Sequence, residues 1–181
     1  MKGILIAGIG NIFHGDDAFG VELAQALARR PLPKDVRVED FGIRAYDLAY
    51  ALMEPRQATI LVDATPRGEP PGTLYLIEPD LSQLDQLAEE PADAHNMNPV
   101  TVLRMIRSFD GDPGRLYVVG CEPEVLETEG GRIGLSPKVQ AALPQAIGMI
   151  EDLLRDLIGN VGPVGKEVYT DTLAPSGPVE K

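Results

Sequence analysis

The chain has 181 residues, 44% of them apolar and 24% charged, and a net charge of −12 from 28 acidic and 16 basic residues. That length is most simply one domain with room for a real core, the acidity argues against nucleic acid and anionic lipid as partners, and no apolar run approaches the ~18 residues of a membrane span. The single cysteine, Cys121, excludes an intrachain disulfide and a CxxC metal site, and the N-terminus enters a strand pattern without the features of a secretory signal, which predicts a cytosolic protein.

Gly3 to Ile9 is a short apolar run and predicts a buried strand. It hands over to Gly8-Ile9-Gly10-Asn11-Ile12-Phe13-His14-Gly15-Asp16-Asp17-Ala18-Phe19-Gly20, a glycine-rich turn with two adjacent carboxylates. Glycines allow a sharp turn and close approach of another group. Two carboxylates at its mouth repel unless a cation or hydrogen-bond donors sit between them, so the turn points to a metal-dependent site more than to a phosphate cradle. Ala18 to Ala28 follows as an amphipathic helix, with Asp16 the better N-cap and Asp17 thereby released for another task. Pro31 and Pro33 stop it.

Val36 to Asp40 predicts a brief second strand and Tyr46 to Met53 a helix. Ala58 to Val62 is the strongest strand signal, with Asp63 at its carboxyl end. The Pro- and Gly-rich connection from Thr65 to Gly72 is too short for a parallel crossover. The next strand, Thr73 to Ile77, is therefore expected to run antiparallel to the one ending at Asp63. Leu81 to Ala88 reads as a short helix, 91–98 as a polar loop containing His95, and Pro99 to Ser108 as a helix with Pro in its first turn. Arg115 to Gly120 is the fifth strand, and Pro137 to Ile158 the longest helix, with Pro144 an expected break or kink. Beyond Gly159 the apolar residues become isolated, so residues 1–159 are assigned to one domain and 160–181 to a flexible tail.

Alternating strands and helices imply an α/β domain, three-layered, with helices on both faces of a mostly parallel sheet. Ligands in such sheets bind outside the carboxyl ends of the strands, near a reversal of strand order. That rule places the 8–20 turn, Asp40 and Asp63 on one edge, with the 65–72 and 91–98 loops as candidate walls of a groove. Each candidate has an ordinary alternative: helix capping for Asp17, turn formation for Asp63, plain exposure for His95. Together Asp17, Asp63 and His95 offer two carboxylates and one imidazole, a mixed O/N set suited to nickel or zinc with positions left for water or substrate. There is no HExxH helix and no GxSxG elbow. Cys121 is open to a nucleophilic role, although a buried structural thiol is the commoner case. The remaining histidine, His14, lies inside the glycine turn.

These segments resemble the maturation endopeptidases of nickel–iron hydrogenases. The resemblance rests on Gly8 to Gly20, Asp40-Phe41-Gly42, Leu61-Val62-Asp63-Ala64, the His95 loop and Gly120-Cys121-Glu122-Pro123-Glu124 followed by Gly134-Leu135-Ser136, and it spans residues 3–158. It implies a five-stranded α/β/α domain that removes a short C-terminal extension from the hydrogenase large-subunit precursor after nickel insertion. It places the metal-contacting residues at Asp17, Asp63 and His95, with nickel supplied by the precursor. Two other readings stay open. One is a non-catalytic assembly factor that binds precursor or nickel without cutting. The other is a nucleotide-binding module, weakened because Phe13 stands where a GxGxxG motif needs its third glycine and because Asp16 and Asp17 would repel pyrophosphate. Another metal-dependent peptidase of the same fold, with a different substrate, is a variant of the first reading.

Overall fold

A computed structural model describes residues 3–81, 99–126 and 130–159. In chain order the elements are β1 (Ile4–Ile9), a 3-10 turn (Gly15–Ala18), α1 (Phe19–Ala28), β2 (Val36–Gly42), α2 (Ala45–Met53), β3 (Ala58–Ala64), β4 (Leu74–Ile77), α3 (Pro99–Ser108), β5 (Leu116–Cys121) and α4 (Pro137–Ile158). The five strands form one sheet in the order β2-β1-β3-β5-β4. All pairings are parallel except β4 with β5.

The central strands β1, β3 and β5 are wholly buried because both faces of the sheet are covered. Alternate residues divide between two cores. Ile4, Ile6, Ile60, Val62, Tyr117 and Val119 pack with Phe19, Leu23 and Leu27 of α1 and the buried stripe of α4. Leu5, Ala7, Ile9, Leu61 and Val118 pack with Leu48 and Leu52 of α2 and Val102, Leu103 and Ile106 of α3. The result is the expected three-layer α/β/α arrangement. The chain steps from β1 outward to β2, then returns across β1 to β3, and right-handed crossovers in opposite directions put α1 and α2 on opposite faces. The reversal falls between β1 and β3, and in such sheets the carboxyl ends of those strands are where a ligand-binding crevice is expected.

Several details depart from the sequence reading. Asp16 does not cap α1; it lies inside the 3-10 turn, and neither that turn nor α1 has a side-chain cap. β2 continues to Gly42, with a register shift opposite Gly8 and Ile9 that takes in the buried Phe41. β3 continues through Asp63, which pairs with Gly120 as a strand residue. β4 runs antiparallel to β3 as expected, yet its hydrogen-bonded neighbour is β5, inserted between them. α4 continues through Pro144. Pro144 and Gln140, whose carbonyl loses its usual partner, are both on the exposed side, where water can replace the bond. The expected helix at 81–88, the 91–98 loop with His95 and the tail 160–181 lie outside the described residues, apart from Leu81.

Candidate active site

The crevice is built by close backbone packing that only glycine permits. A Cβ on Gly20 would sit 2.1 Å from the Val62 carbonyl oxygen and 2.3 Å from that of Ile9, so the first turn of α1 rests directly on the ends of β1 and β3. Gly10 has φ of +129°, and a Cβ there would fall 1.7 Å from the carbonyl oxygen of Asp17. Gly10 also donates its N–H to the Gly42 carbonyl (3.0 Å), which joins the turn to the end of β2. These contacts lay the Gly10–Ala18 segment over the end of the sheet, so Asp17 comes to the place where β3 delivers Asp63.

Asp17 is held by its own turn. The Asn11 N–H donates to Asp17 Oδ2 at 2.7 Å, and Asn11 Oδ1 accepts the Phe13 N–H at 3.0 Å. The Asn thus forms an Asx turn that folds the segment back on itself. Asp63 is only 5% exposed. Burial pushes its carboxyl well above the usual carboxylate range, the negative charge of Asp17 pushes it further, and the Ala64 backbone N–H opposes this only in part. Two carboxylates thus lie close enough for the charge of one to disfavour ionisation of the other. A divalent cation, or a shared proton, restores the balance.

The structure brings together two of the three expected ligands, Asp17 and Asp63. His95 lies outside the described residues, and among the described residues no group of three His, Cys, Asp or Glu side chains is arranged to hold a metal. Asp40 does reach the same edge, where its Oδ2 accepts from Gln25 Nε2 at 3.3 Å and its carbonyl accepts from Arg44. It braces α1 and its own turn. His14 belongs to a short parallel bridge with Arg132, flanked by bonds from Gly15 N–H to the Arg132 carbonyl (2.8 Å) and from Arg132 N–H to the Phe13 carbonyl (2.7 Å). Cys121 is fully buried. Its thiol is pushed up to about 12 by burial and then by the charges of Asp16 and Glu122, which leaves little thiolate at neutral pH and favours a structural role.

Two further carboxylates matter that residue type alone did not single out. Asp16 is fully buried and accepts N–H groups of Glu124 (2.8 Å), Val125 (2.8 Å) and Ser136 (2.6 Å). Burial on its own would raise the Asp16 carboxyl; the three backbone donors outweigh it and hold the group below its ordinary value. Glu122, 5% exposed, accepts the N–H groups of Arg67 (2.8 and 3.1 Å) and Gly68 (3.1 Å) and the hydroxyl of Tyr75 (2.6 Å). It pins the 65–72 connection against the end of β5. Their bonding partners lie far away in sequence, so nothing local announced these roles. Around the same edge Ile12, Phe13, Ile43 and Ile133 remain exposed, Phe13 at 57% and Ile133 at 81%.

Comparison with known proteins agrees with this architecture. The sequence model of the family described as HycI, hydrogenase maturation protease, matches residues 21–153. The hydrogenase 2 maturation protease of Escherichia coli K12 is 32% identical over 155 residues, covering 84% of this chain and 91% of its own length. The coenzyme F420 hydrogenase subunit delta of Methanothermobacter thermautotrophicus is 30% identical over 154 residues, covering 82% of this chain and 92% of its own. Among solved structures, the hydrogenase maturating endopeptidase HybD from E. coli superposes with a TM-score of 0.68 at 30% identity, covering 85% of this chain and 93% of that one.

Proposed function

The chain belongs to the hydrogenase maturation protease family and is a peptidase, and from that premise we propose that it removes the C-terminal extension of a nickel–iron hydrogenase large-subunit precursor after nickel has been inserted. The nickel enters as part of the substrate and is recognised by Asp17, Asp63 and His95. The observation that carries this reading is the Asp17–Asp63 pair: Asp63 is buried, and its carboxyl is raised by burial and by its neighbour's charge. A cation brought by a partner supplies the missing positive charge. The oxygen donors fit a borderline divalent metal, and an imidazole from the His95 loop would complete a mixed set. The exposed apolar side chains Ile12, Phe13, Ile43 and Ile133 around the crevice suit a protein partner. The lone cysteine suits a cytoplasmic setting, and no described helix is long and apolar enough to cross a membrane.

In this reading the metal serves as a checkpoint and supplies Lewis-acid polarisation when bound. The chain's own residues do the rest. Asp63, whose carboxyl is raised by burial and by the Asp17 charge, would ionise more readily as positive charge arrives. Asp17, held by the Asn11 N–H, is placed either to ligate or to take a proton from the attacking water. The glycine-packed floor keeps both groups fixed before the substrate enters, so that little reorganisation is needed at reaction.

The test is the mass of the large-subunit precursor, nickel-loaded or nickel-free, after incubation with the protein. Loss of one discrete C-terminal peptide from the loaded form alone supports the proposal. Cleavage of both forms equally removes the nickel checkpoint. Binding without cleavage favours the assembly-factor reading. Asp17→Ala, Asp63→Ala and His95→Ala are each expected to reduce processing at least 10²-fold with the fold retained; a fully active triple variant overturns the assignment of the site.

A further inference from the structure

We propose that Asp16 is a positioning residue: by accepting the N–H groups of Glu124, Val125 and Ser136, its buried carboxylate fixes the rotation of the 3-10 turn and so aims the Asp17 carboxylate at Asp63. The inference rests on the peptidase reading only for its catalytic consequence; the geometric part stands on its own.

A 3-10 turn has three residues per turn, so consecutive side chains leave it about 120° apart. Asp16 and Asp17 therefore cannot face the same way. Fixing one dictates the direction of the other. The fixation of Asp16 is redundant: its own N–H donates to the Val125 carbonyl (2.8 Å), and the preceding Gly15 N–H donates to the Arg132 carbonyl (2.8 Å). Residues 15 and 16 are thus tied by backbone and side chain to the segment after β5. On the other side the Asp17 carbonyl rests against Gly10, and its carboxylate takes the Asn11 N–H at 2.7 Å. The turn is clamped between these two anchors, and rotation about its axis would break one of them.

The chemistry requires a carboxylate at this position. Ser136 N–H donates to Oδ1, while Glu124 and Val125 both donate to Oδ2. Two anionic oxygens have acceptor capacity for all three. An Asn presents a single oxygen, and its NH2 group must then face at least one N–H, donor against donor. A Glu carries an extra methylene into a site with no exposure. The anion also lies where Ser136 opens the N-terminus of α4, so the helix dipole favours it. A capping role within its own helix is not served, because no cap bond is made there.

The test compares wild type and Asp16→Asn as full-length protein, well below the melting temperature of each. In the wild type, couplings measured by NMR across the hydrogen bonds should link the Glu124, Val125 and Ser136 amides to the Asp16 carboxyl, and the Asn11 amide to that of Asp17. In Asp16→Asn the Asn11 amide should lose its protection from exchange relative to the core amides, although Asn11 does not touch Asp16. With nickel-loaded precursor, kcat should fall roughly 10²-fold with KM nearly unchanged, the signature of lost alignment at the transition state. A purely structural role would lower the melting temperature and leave both the Asn11 amide and kcat of the folded protein alone; that result overturns the proposal, as does the absence of the couplings in the wild type. Asp16→Ser, which keeps one acceptor in a smaller volume, serves the same comparison if Asp16→Asn does not fold. A wild type that leaves the precursor uncut refutes the peptidase reading while the Asn11 measurement still decides the positioning.

Discussion

Asp16 and Asp63 are both buried carboxylates at the carboxyl end of the sheet, and they have opposite fates. Asp16 is surrounded by three backbone donors that hold it ionised, below its ordinary range, in spite of burial. Asp63, with the Asp17 charge beside it, is driven well above that range. Burial opposes charge at both; what separates them is the neighbouring Asp17 charge at Asp63 and the supply of N–H groups at Asp16. A buried carboxylate met by enough donors stabilises the fold, whereas one that is not costs stability, which makes it a candidate for function.

The contrast can be broken at either end. The largest effect on stability is expected from Asp16→Ala, which leaves three backbone donors without an acceptor and should cost about 2–4 kcal/mol in a denaturant melt at pH 7. Because the native carboxyl is depressed, that stabilisation is full above the unfolded-state value near ~3.9 and is lost as pH falls through the lower native value. The gap between wild type and variant should accordingly close in strong acid. Asp63→Asn should act in the other direction and stabilise the protein by about 0.5–2 kcal/mol at pH 7 while abolishing processing. Here the native value is raised, so the wild type holds its relative stability below ~3.9 and loses it as pH rises through the native value. The advantage of Asp63→Asn should therefore shrink on acidification, and an advantage independent of pH would mean that its cause is not the charge. Tyr75→Phe removes one donor from Glu122, whose remaining bonds to Arg67 and Gly68 keep it partly satisfied. It should cost about 1 kcal/mol by thermal melt. The smallest effect belongs to Cys121, whose thiol at about 12 should resist alkylation by iodoacetamide at pH 8 until the protein unfolds.

Much of this was legible in the sequence because it is local. Apolar runs, breakers and the Pro-led start at Pro99 gave the strands and α-helices of the described residues to within a residue or two, and the short Thr65–Gly72 connection gave the reversed direction of β4. The convergence of Asp17 and Asp63 followed from the rule about strand ends together with the family resemblance. What stayed hidden depends on distant partners. Nothing near Asp16 announces that Glu124, Val125 and Ser136 will surround it, so capping looked like its natural role. Nothing near Glu122 reveals that it will receive Arg67, Gly68 and Tyr75. The neighbour of β4 was equally hidden, because β5 slips in beside it after α3 has intervened.

That late insertion sets an order of assembly. The bond between Asp16 and Ser136 closes a separation of 120 residues, and those to Glu124 and Val125 close 108 and 109. Loop closure over such spans carries a high entropic cost and yields nothing until both ends are present. During synthesis the glycine turn emerges early and must wait, held on one side only, until β5 and the start of α4 have left the ribosome. A chain interrupted before Ser136 would carry Asp17 and Asp63 yet lack part of the frame that aims them, so a half-made protease would be poorly equipped to cut.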